Sequence, residues 1–555
     1  MIQLGISAFY HDAAACIVKD GKVLAAAEEE RFTEIKHDES FPYNAIEWTL
    51  EYCNLTIEDI DQVCWYERPD LKKDRVLKTF KKYWWKTFRL KRKYLKDLKK
   101  NNPDRILKDL GYKGEIIYIP HHLSHAAFSY LTSPYEEAAI LTVDGVGEWE
   151  TLTISLGKGN EIYKIYGVDF PNSLGLLYST VTAFLGFKPN EGEYKVMGLA
   201  PYGDPNRYYN DLKKVILPGE DLKIDMKYFP WEYSDSIMFN SKFAHLVKML
   251  PRLSEEEVTQ DHKDLAAALQ RVYEEEFLKL VKKAKDITKV NNLVLGGGCA
   301  YNGVANAKAY SYFKSIHIPF APSDAGSAIG ACLYNHEGER QDNTSPYLGP
   351  EYTDEYVEEL LKNYKLKSVR YNTDEELTKR VAALIPKNNI VAWFQGRMEF
   401  GARALGNRSI LANPRNAEMR QKLNMVIKKR EGFRPFAPSV LKEQQKTWFL
   451  VKEDIPYMNQ VVKTKGFNRQ DPPNYLPSAT HVDYTARVHT VTKDQNKKYY
   501  LLLQELHKQT GFGVTLNTSF NLKDQTITMT PKQAIERYIS SEIDYLVINN
   551  HLIFR

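Results

Sequence analysis

The feature that most constrains the fold of this chain is a three-strand pattern that occurs twice and is followed each time by a helix. The first copy predicts strands and then a helix at residues 2–7, 13–19, 22–29 and 45–54. The second copy predicts the same order of elements at residues 138–145, 150–157, 161–168 and 174–185. Two copies of one meander-and-helix unit predict a duplicated α/β fold.

A meander followed by helices, given twice, is the organisation of the duplicated actin-like (ribonuclease H-like) fold. In that fold a nucleotide lies in a cleft and its phosphates meet hairpin loops of both halves. The later sequence NNLVLGGG-CAYNGVAN predicts a glycine-rich turn from a strand into a helix, which contains Gly297, Gly298 and Asn302. Backbone N–H groups there can approach a nucleotide closely, although an ordinary tight turn gives the same pattern.

A polar segment rich in Gly and Pro at residues 335–353 predicts the main linker. We therefore expect an actin-like domain at 1–345, with a basic helical insertion at about 70–110, and a second domain at 346–555. The second domain alternates predicted strands and helices, among them a helix at 417–427 and a strand at 486–491, which indicates an α/β domain with a mixed sheet. A chain of 555 residues is long enough for both, at about 100–200 residues per domain.

Composition excludes several classes of protein. Hydrophobic residues make up 43% and charged residues 26% of the chain, as in ordinary water-soluble domains. No apolar run approaches the roughly 18–20 residues of a membrane span, and the start of the chain lacks the pattern of a signal peptide. The 5 cysteines lack CxxC spacing, which argues against a disulfide framework and a zinc ribbon. We expect a cytoplasmic protein; its oligomeric state has no sequence mark.

Residues 72–100 form a strongly basic segment in which Lys and Arg alternate with aromatic residues. The pattern is typical of a helix that binds nucleic acid or a membrane surface. It is also typical of a helical insertion whose aromatic side chains dock on the protein body while the lysines face solvent. We favour the second interpretation, and nucleic acid is not an expected partner.

A candidate metal site begins in PHHLSHAAFS. His121 and His125 fall four residues apart, on one face of a predicted helix that starts near Pro120. Asp144, at the end of a strand, and Asp324, in the loop before a helix, could complete a set of two imidazoles and two carboxylates. His122 is a competing ligand, and hydrogen-bonding histidines with Asp324 as a helix cap would give the same spacing.

A second candidate site follows from cations that accumulate on turns of the C-terminal part: Arg397, Arg403, Arg408, Lys428, Arg430 and Arg434. Convergent guanidinium groups bind phosphates, so a phosphorylated substrate is the expected ligand. Arg487 and the loop at Asn517 and Ser519 add a cation and polar donors. An ion-pair network with Glu399 and Glu431 is the structural alternative.

Three polar loops of the N-terminal part could line the predicted cleft. They contain His11, Lys36 and Lys195. A His or Lys there can orient or protonate a small group during its transfer. Ordinary surface turns would have the same composition.

These segments together resemble the family of O-carbamoyltransferases that act on nodulation factors and on cephem, ansamycin and aminoglycoside antibiotics. The resemblance covers essentially the whole chain and rests on these motifs: GISAFYHDAAACIVKDG, EERFTEIKHDESFP, HHLSHAAFS, LTVDGVGEW, EGEYKVMGLAPYG, GGGCAYNGVAN, PSDAGSAIG, GRMEFGARALGNRSILA, REGFRPFAPSV and TLNTSFN. It implies an actin-like domain followed by a YrdC-like domain that makes an adenylate.

The resemblance implies a two-step reaction. Carbamoyl phosphate and ATP, the latter with Mg²⁺, would form carbamoyl adenylate in the YrdC-like domain, and the carbamoyl group would pass to a hydroxyl of a small molecule. The residues implied for adenylate formation are Lys428, Arg430, Arg434, Arg403, Arg487, Asn517 and Ser519. His121, His125, Asp144 and Asp324 match positions of iron ligands, and Fe(II) or a similar divalent ion is expected. His11 and Lys36 match carbamoyl or adenylate contacts, and Gly297, Gly298, Asn302 and Lys195 match nucleotide contacts.

Two other functions fit parts of the pattern. A tRNA threonylcarbamoyl transferase-like enzyme would use the basic segment to bind RNA. An actin-like nucleotide-binding regulator without turnover would use it to dock on a membrane or nucleic acid. The acceptor molecule leaves no mark in the sequence.

Overall fold

The chain forms two compact units in a computed structural model, which describes residues 1–465 and 476–555. The first unit contains Met1–Glu29 and His37–Thr344, and the second contains Ser345–Arg555. The second unit also includes Glu30–Lys36, with the short helix α1 (Glu30–Thr33). The sequence predicts residues 30–36 as part of the N-terminal domain, because their composition does not differ from that of the flanking residues. Only the packing of the folded chain assigns them to the second unit.

Each half of the first unit is built on a five-stranded sheet. The first sheet contains β1 (Ile2–Ser7), β2 (Ala14–Lys19), β3 (Lys22–Glu28), β4 (Gln62–Trp65) and β5 (Glu115–Tyr118). The second contains β6 (Glu137–Val143), β7 (Glu150–Lys158), β8 (Glu161–Asp169), β9 (Asn292–Gly296) and β10 (Ser315–His317). The strand orders, β3-β2-β1-β4-β5 and β8-β7-β6-β9-β10, are equivalent. In each sheet a three-strand antiparallel meander is extended by two parallel strands. The predicted duplication is confirmed.

Helices pack on these sheets, and for this reason the inner strands β1 and β6 are apolar and almost fully buried. The helices of the first unit are α2 (Tyr43–Tyr52), α3 (Pro69–Lys82), α4 (Trp84–Lys100), α5 (Pro103–Asp109), α6 (His121–Leu131), α7 (Leu174–Phe184), α8 (Glu193–Leu199), α9 (Tyr209–Lys213), α10 (Ser241–Val247), α11 (Gln260–Thr288), α12 (Gly303–Lys308) and α13 (Asp324–Tyr334). Helices α6 and α13 begin beside the ends of strands, where polar side chains meet.

The second unit contains an eight-stranded mixed sheet of order β11-β20-β19-β12-β13-β18-β14-β17 and a two-stranded sheet of β15 and β16. The strands are β11 (Lys367–Arg370), β12 (Val391–Phe394), β13 (Arg408–Ala412), β14 (Ala437–Leu441), β15 (Val461–Lys463), β16 (Thr485–Arg487), β17 (His489–Val491), β18 (Val514–Ser519), β19 (Tyr545–Ile548) and β20 (His551–Phe554). The helices are α14 (Asp354–Asn363), α15 (Asp374–Ala382), α16 (Met419–Gln421), α17 (Gln445–Trp448), α18 (Lys497–Thr510) and α19 (Pro531–Ile539). The predicted mixed sheet is confirmed.

Two predicted elements of the second unit differ from the structure. The strand predicted at 486–491 is interrupted at Val488, because β16 pairs with β15 whereas β17 pairs with β14. The helix predicted at 417–427 is α16 followed by a π-helical turn, Lys422–Ile427. A π-turn widens the helix by one residue and is common beside functional residues. Here it leads directly to Lys428.

The basic segment forms the α3–α4 hairpin, and its aromatic side chains divide into two groups. Phe80 contacts Tyr94 across the hairpin, with ring centroids 6.0 Å apart. The prediction that the aromatic residues dock on the body is wrong for Trp84, Trp85 and Phe88, which are exposed. The packed side of α4 is the one that carries Thr87 and Tyr94, so these three rings lie on its other faces. In the part of the chain that the structure describes, no helix combines the length and apolar character needed to cross a membrane.

Candidate active site

The first candidate site starts at the N-terminus of α6, where one side of the helix carries His121 and His125. Pro120 precedes the helix and has no side chain that can accept a hydrogen bond. The buried carboxylate of Glu148 takes that role and accepts a hydrogen bond from the backbone N–H of His121 at 2.9 Å. No local sequence signal marks Glu148, because its role depends on the β6–β7 loop folding back to α6.

Two carboxylates complete a group of four side chains, which we call the His–Asp cluster: His121, His125, Asp144 and Asp324. Asp144 follows β6, and Asp324 is the first residue of α13. The Nε2 atom of His125 lies 3.0 Å from Oδ2 of Asp144 and 3.3 Å from Oδ1 of Asp324. The corresponding distances from His121 are 3.1 Å and 3.7 Å. The four residues that the spacing predicted are thus brought together, and all are buried.

The donor set fits a divalent transition metal. Among the described residues, neither carboxylate oxygen of Asp324 has a hydrogen-bond partner, although both are buried. This rules out the alternative in which Asp324 acts as a helix cap. The Nε2 atoms of His121 and His125 lie 3.1 Å apart, and a cation between them and the carboxylates would satisfy all four groups.

The cluster has an outer partner that fixes one imidazole. The hydroxyl of Ser327, one turn along α13, lies 2.9 Å from Nδ1 of His125. When Nδ1–H donates to this oxygen, the lone pair of Nε2 is directed into the cluster. Ser327 is buried and was not identified from the sequence.

The members of the cluster shift the pKa values of one another. Burial lowers the pKa of His125, but the hydrogen bond to Asp144 and the negative charges of Asp144 and Asp324 outweigh it and raise that pKa to about 9. Burial acts to raise the pKa of Asp144, and the two histidines hold it well below its usual range. His122 lies outside the cluster, and burial, followed by the charge of His121, lowers its pKa to about 3.

His11, which the sequence placed in the first hairpin loop, lies beside the cluster. Its Nε2 is 3.9 Å from Oδ2 of Asp324, and its Nδ1 is 3.0 Å from Oδ2 of Asp12. Asp12 in turn accepts a 2.6 Å hydrogen bond from His37. Burial lowers the pKa of His11, but the charges of Asp324 and Asp12 outweigh it and raise the pKa to about 10. A cation on Asp324 would offset this effect and favour neutral His11.

The predicted nucleotide contacts have different surroundings. At Gly297 the backbone has φ 83°, and a Cβ atom would lie 2.2 Å from the carbonyl oxygen of Val143, so only glycine fits. Gly298 lies beside Asp144: a Cβ atom added to Gly298 would be 3.1 Å from Oδ1 of Asp144. The side chain of Asn302, in contrast, is used within the fold. It caps α12 and forms two hydrogen bonds with Gln270.

Lys195 lies on α8, with its Nζ 5.6 Å from the centre of the Phe187 ring. The ring covers one side of the ammonium group. The sequence placed Lys195 in a polar loop; the structure places it in the first turn of a helix.

The α3–α4 hairpin contributes buried polar groups that no sequence motif indicates. Arg75 lies with its guanidinium 5.1 Å from the Phe170 ring, and its buried Nε has no hydrogen-bond partner among the described residues. Its charge acts on the phenol of Tyr10, as do Asp144 and Asp324. The hydroxyl of Tyr94 is also buried without such a partner in the described ranges. The basic segment therefore directs Arg75 towards the surroundings of the cluster, which no local motif indicates.

The second candidate site, in the second unit, centres on Lys428. Its side chain is 4% exposed, and its Nζ donates to the carbonyl oxygens of Ser519 and Asn521 and to Oδ1 of Asn521, at 2.5, 2.9 and 2.7 Å. All three acceptors are neutral. Burial, followed by the charges of Arg430 and Arg434, holds the pKa of Lys428 well below its usual value.

The surroundings of Lys428 are cationic, as predicted, but one member was unexpected. Lys36 and Arg537 also act on the pKa of Lys428. The sequence predicts Lys36 among the N-terminal loops, together with His11. The structure groups it with the second unit, because Glu30–Lys36 packs there. Arg430 is held by a 2.8 Å hydrogen bond from its Nε to Asn424 and by the ring of Phe436.

Four further predicted residues lie around this site or near it in the chain. Ser519 accepts from Lys428 through its carbonyl and donates through its hydroxyl to Asn521. Asn517, two residues earlier on β18, donates to Ser439 at 3.0 Å, and its buried Oδ1 has no hydrogen-bond partner in the described chain. Arg403 lies in the β12–β13 loop and Arg487 ends β16; both are half-buried, and neither is among the cations that act most strongly on Lys428.

Two arginines of the predicted group have a structural role instead. Arg408 is fully buried and donates to the carbonyl oxygens of Gln395, Asn407, Pro350 and Gly396. Arg397 donates to carbonyl oxygens of Leu348 and Gly349. Their side chains stabilise the loops around β12 and β13. The alternative of an ion-pair network holds in part. Glu431 forms an ion pair of 3.4 Å with Arg434. Glu399 forms none with the described residues, and one of its oxygens accepts backbone N–H bonds from Leu405, Asn407 and Arg408.

The sequence matches known proteins along most of its length. The family model Carbamoyltransferase N-terminus matches residues 2–333, and Carbamoyltransferase C-terminus matches residues 382–555. The uncharacterized protein sll1178 of Synechocystis sp. is 40% identical, over 99% of this chain and 96% of that protein. The nodulation protein NolNO of Sinorhizobium fredii is 34% identical, over 98% of this chain and 79% of that protein. The 3'-hydroxymethylcephem-O-carbamoyltransferase of Amycolatopsis lactamdurans is 31% identical, over 60% of this chain and 59% of that protein.

Proposed function

The chain belongs to the carbamoyltransferase family, whose two models match its two parts, and on that premise we propose that it is an ATP-dependent O-carbamoyltransferase that works in two steps. The single observation that carries the proposal is the environment of Lys428. Among the described residues, this buried ammonium group has only neutral hydrogen-bond acceptors and has cationic neighbours, an arrangement that is costly in the absence of an anion. Phosphate groups of carbamoyl phosphate and ATP are anions of the required charge.

In the first step, water cleaves carbamoyl phosphate into carbamate and phosphate. A carbamate oxygen then attacks the α-phosphorus of ATP, the bond to the β-phosphate breaks, and pyrophosphate leaves with its Mg²⁺. Lys428, Arg430 and Arg434 would hold the phosphates and stabilise the charge that develops on them. Ser519 and Asn517, with Arg403 and Arg487, would orient carbamoyl phosphate.

In the second step, a hydroxyl oxygen of the acceptor attacks the carbamoyl carbon, the bond to the adenylate oxygen breaks, and AMP leaves. The His–Asp cluster would hold Fe(II) or a similar divalent ion, which when bound supplies a Lewis acid for the adenylate phosphate. His11 would take the proton of the attacking hydroxyl. Gly297 and Gly298 would admit the nucleotide close to the backbone, and Lys195 would contribute a cation.

Burial supports this assignment of the transfer step. Each member of the His–Asp cluster is at most 5% exposed, and a site from which water is excluded protects an activated carbamoyl group from hydrolysis. The side chain of Asn302, already bonded to Gln270, would act by shaping the turn and not as a direct ligand.

The proposal is tested by separating the two steps. Carbamoyl phosphate-dependent release of pyrophosphate from ATP reports the first step, and labelled carbamoyl phosphate incubated with a metabolite extract reports transfer by the mass of the product. Arg430→Ala should abolish both readouts, whereas His125→Ala should abolish transfer and leave pyrophosphate release intact. Arg370→Ala and His245→Ala, at exposed sites, serve as matched controls.

Two outcomes would contradict the proposal. If Arg430→Ala and His125→Ala both leave overall transfer intact, the two sites do not share the reaction in this way. If pyrophosphate release requires threonine and bicarbonate in place of carbamoyl phosphate, the enzyme forms a threonylcarbamoyl adenylate.

A further inference from the structure

The α3–α4 hairpin exposes three large aromatic side chains side by side, which we call the aromatic tip: Trp84, Trp85 and Phe88. They are 70%, 61% and 75% exposed. The rings of Trp84 and Trp85 contact each other edge to face, with centroids 6.0 Å apart. A group of aromatic side chains this exposed marks an interaction surface more often than a surface that faces water alone.

The aromatic tip continues along α4 as an apolar stripe. Trp84, Phe88 and Leu95 are spaced i, i+4 and i+11, so they lie on one side of the helix, and Leu95 is 39% exposed. A different side of α4 faces the hairpin, where the buried Thr87 hydroxyl donates to the carbonyl oxygens of Phe80 and Tyr83. The helix therefore cannot bury the stripe by rotating without losing this packing.

Contacts with a neighbouring loop of the same unit hold the hairpin in place. Lys82 and Tyr83 both bind the carboxylate of Glu232, at 2.7 and 2.8 Å. Lys93 forms an ion pair of 2.8 Å with Asp235. The exposed tip thus belongs to an anchored element, and Ile237, two residues beyond Asp235, adds a side chain that is 60% exposed.

The cations around the stripe are available for a partner. Within residues 1–465 and 476–555, the structure gives neither a hydrogen bond nor an ion pair to the side chains of these four exposed residues of α4: Arg89, Lys91, Arg92 and Lys96. A helix with an apolar stripe of Trp, Phe and Leu flanked by Lys and Arg has the composition of an interfacial helix. Anionic lipid headgroups complement the charge, and the upper part of the acyl chains complements the rings.

We propose that the aromatic tip and its flanking cations dock the enzyme on an anionic lipid surface. Single-stranded RNA also uses aromatic rings and cations. The apolar stripe favours lipid, because Leu95 and Ile237 offer no face on which a base can stack, whereas both add apolar area that a lipid interface buries. The proposal goes beyond the transfer reaction and does not depend on it.

The test measures binding of the full chain to vesicles of phosphatidylglycerol mixed with phosphatidylcholine, and to vesicles of phosphatidylcholine alone. Binding should require the anionic lipid and should weaken with added salt. The variant R89Q/K91Q/R92Q should bind roughly 100-fold more weakly, at about fivefold for each cation near the surface. The variant W84S/W85S/F88S should bind the vesicles at least about tenfold more weakly, which corresponds to the free energy gained by burying one such ring.

The control variant Y163S/I165S removes two exposed apolar residues of β8 in the same unit and should bind like the unchanged protein. Brominated lipids should quench tryptophan fluorescence in the unchanged protein and less in W84F/W85F. All variants change exposed side chains, and circular dichroism checks that they are folded. The proposal is overturned if the unchanged protein does not bind anionic vesicles, if the tip variants bind as well as the control, or if single-stranded RNA is bound at the tip in place of vesicles.

Discussion

Replacement of Ser327 by alanine should weaken divalent-metal binding at the His–Asp cluster without changing any of its four members. The Ser327 hydroxyl lies 2.9 Å from Nδ1 of His125, and both residues are buried. Without this partner the imidazole loses the hydrogen bond that holds its Nε2 lone pair towards Asp144 and Asp324. Loss of such an outer contact typically weakens metal affinity about 10- to 100-fold.

The expected change corresponds to roughly 1.4–2.7 kcal/mol of binding free energy. This loss of metal-binding free energy should exceed the loss in the free energy of unfolding of the metal-free protein, since one buried hydrogen bond contributes only about 1 kcal/mol to the latter. Ser129→Ala is the matched control. Ser129 is also buried, one turn after His125 on α6, and its hydroxyl has no hydrogen-bond partner in the described part of the chain.

The assay is competition for Co²⁺ or Zn²⁺ between the protein and a chromophoric chelator, with His125→Ala as the variant that lacks a ligand. Ser327→Ala should lie between the unchanged protein and His125→Ala, and Ser129→Ala should match the unchanged protein. Equal affinities for Ser327→Ala and Ser129→Ala would refute the role of the outer contact. Equal affinities for all four proteins would refute the metal site itself.

The remaining predictions concern the second unit. Burial, followed by the charges of Arg430 and Arg434, lowers the pKa of Lys428, and a bound phosphate would raise that pKa again. Phosphate binding should therefore take up protons and weaken as the pH rises, which calorimetry in buffers of different ionisation enthalpy can measure; no proton uptake, or the same uptake in Lys428→Met, would contradict this. Arg408→Leu should lower the free energy of unfolding by about 3–5 kcal/mol, because several buried carbonyl oxygens lose a charged donor. Arg370→Leu, which removes exposed ion pairs, should cost at most about 1 kcal/mol in the same urea titration.

Local sequence signals indicated the members of the His–Asp cluster because three of them lie at or beside the end of a regular element, and His125 lies one turn further along α6 than His121. Spacing of four residues after Pro120 places His121 and His125 on one side of α6. Asp144 and Asp324 lie where a strand ends and a helix begins, and equivalent strands of a duplicated fold bring such ends together. Their convergence could therefore be anticipated from the order of elements.

Other features depend on contacts between distant segments of the chain, and no local sequence pattern predicts them. Arg408 belongs to the same run of cations as Lys428, yet its guanidinium binds carbonyl oxygens of loops that meet only in the folded unit. Lys36 follows a short helix whose packing partner lies more than three hundred residues away in the sequence. The composition of residues 72–100 predicted that the aromatic side chains dock on the body, but it did not indicate which of them remain exposed.

The two candidate sites have opposite electrostatic needs, and this supports a division of the reaction between them. In the first, two buried carboxylates raise the pKa of His125 to about 9, so the site favours added positive charge. In the second, the pKa of Lys428 is held well below its usual value, so the site favours added negative charge. A divalent cation satisfies the first and a polyphosphate the second, whereas either ligand in the other site would add to the repulsion. In the proposed reaction, an adenylate-forming step among cations and a metal-assisted transfer step among carboxylates would relieve the electrostatic cost of both sites.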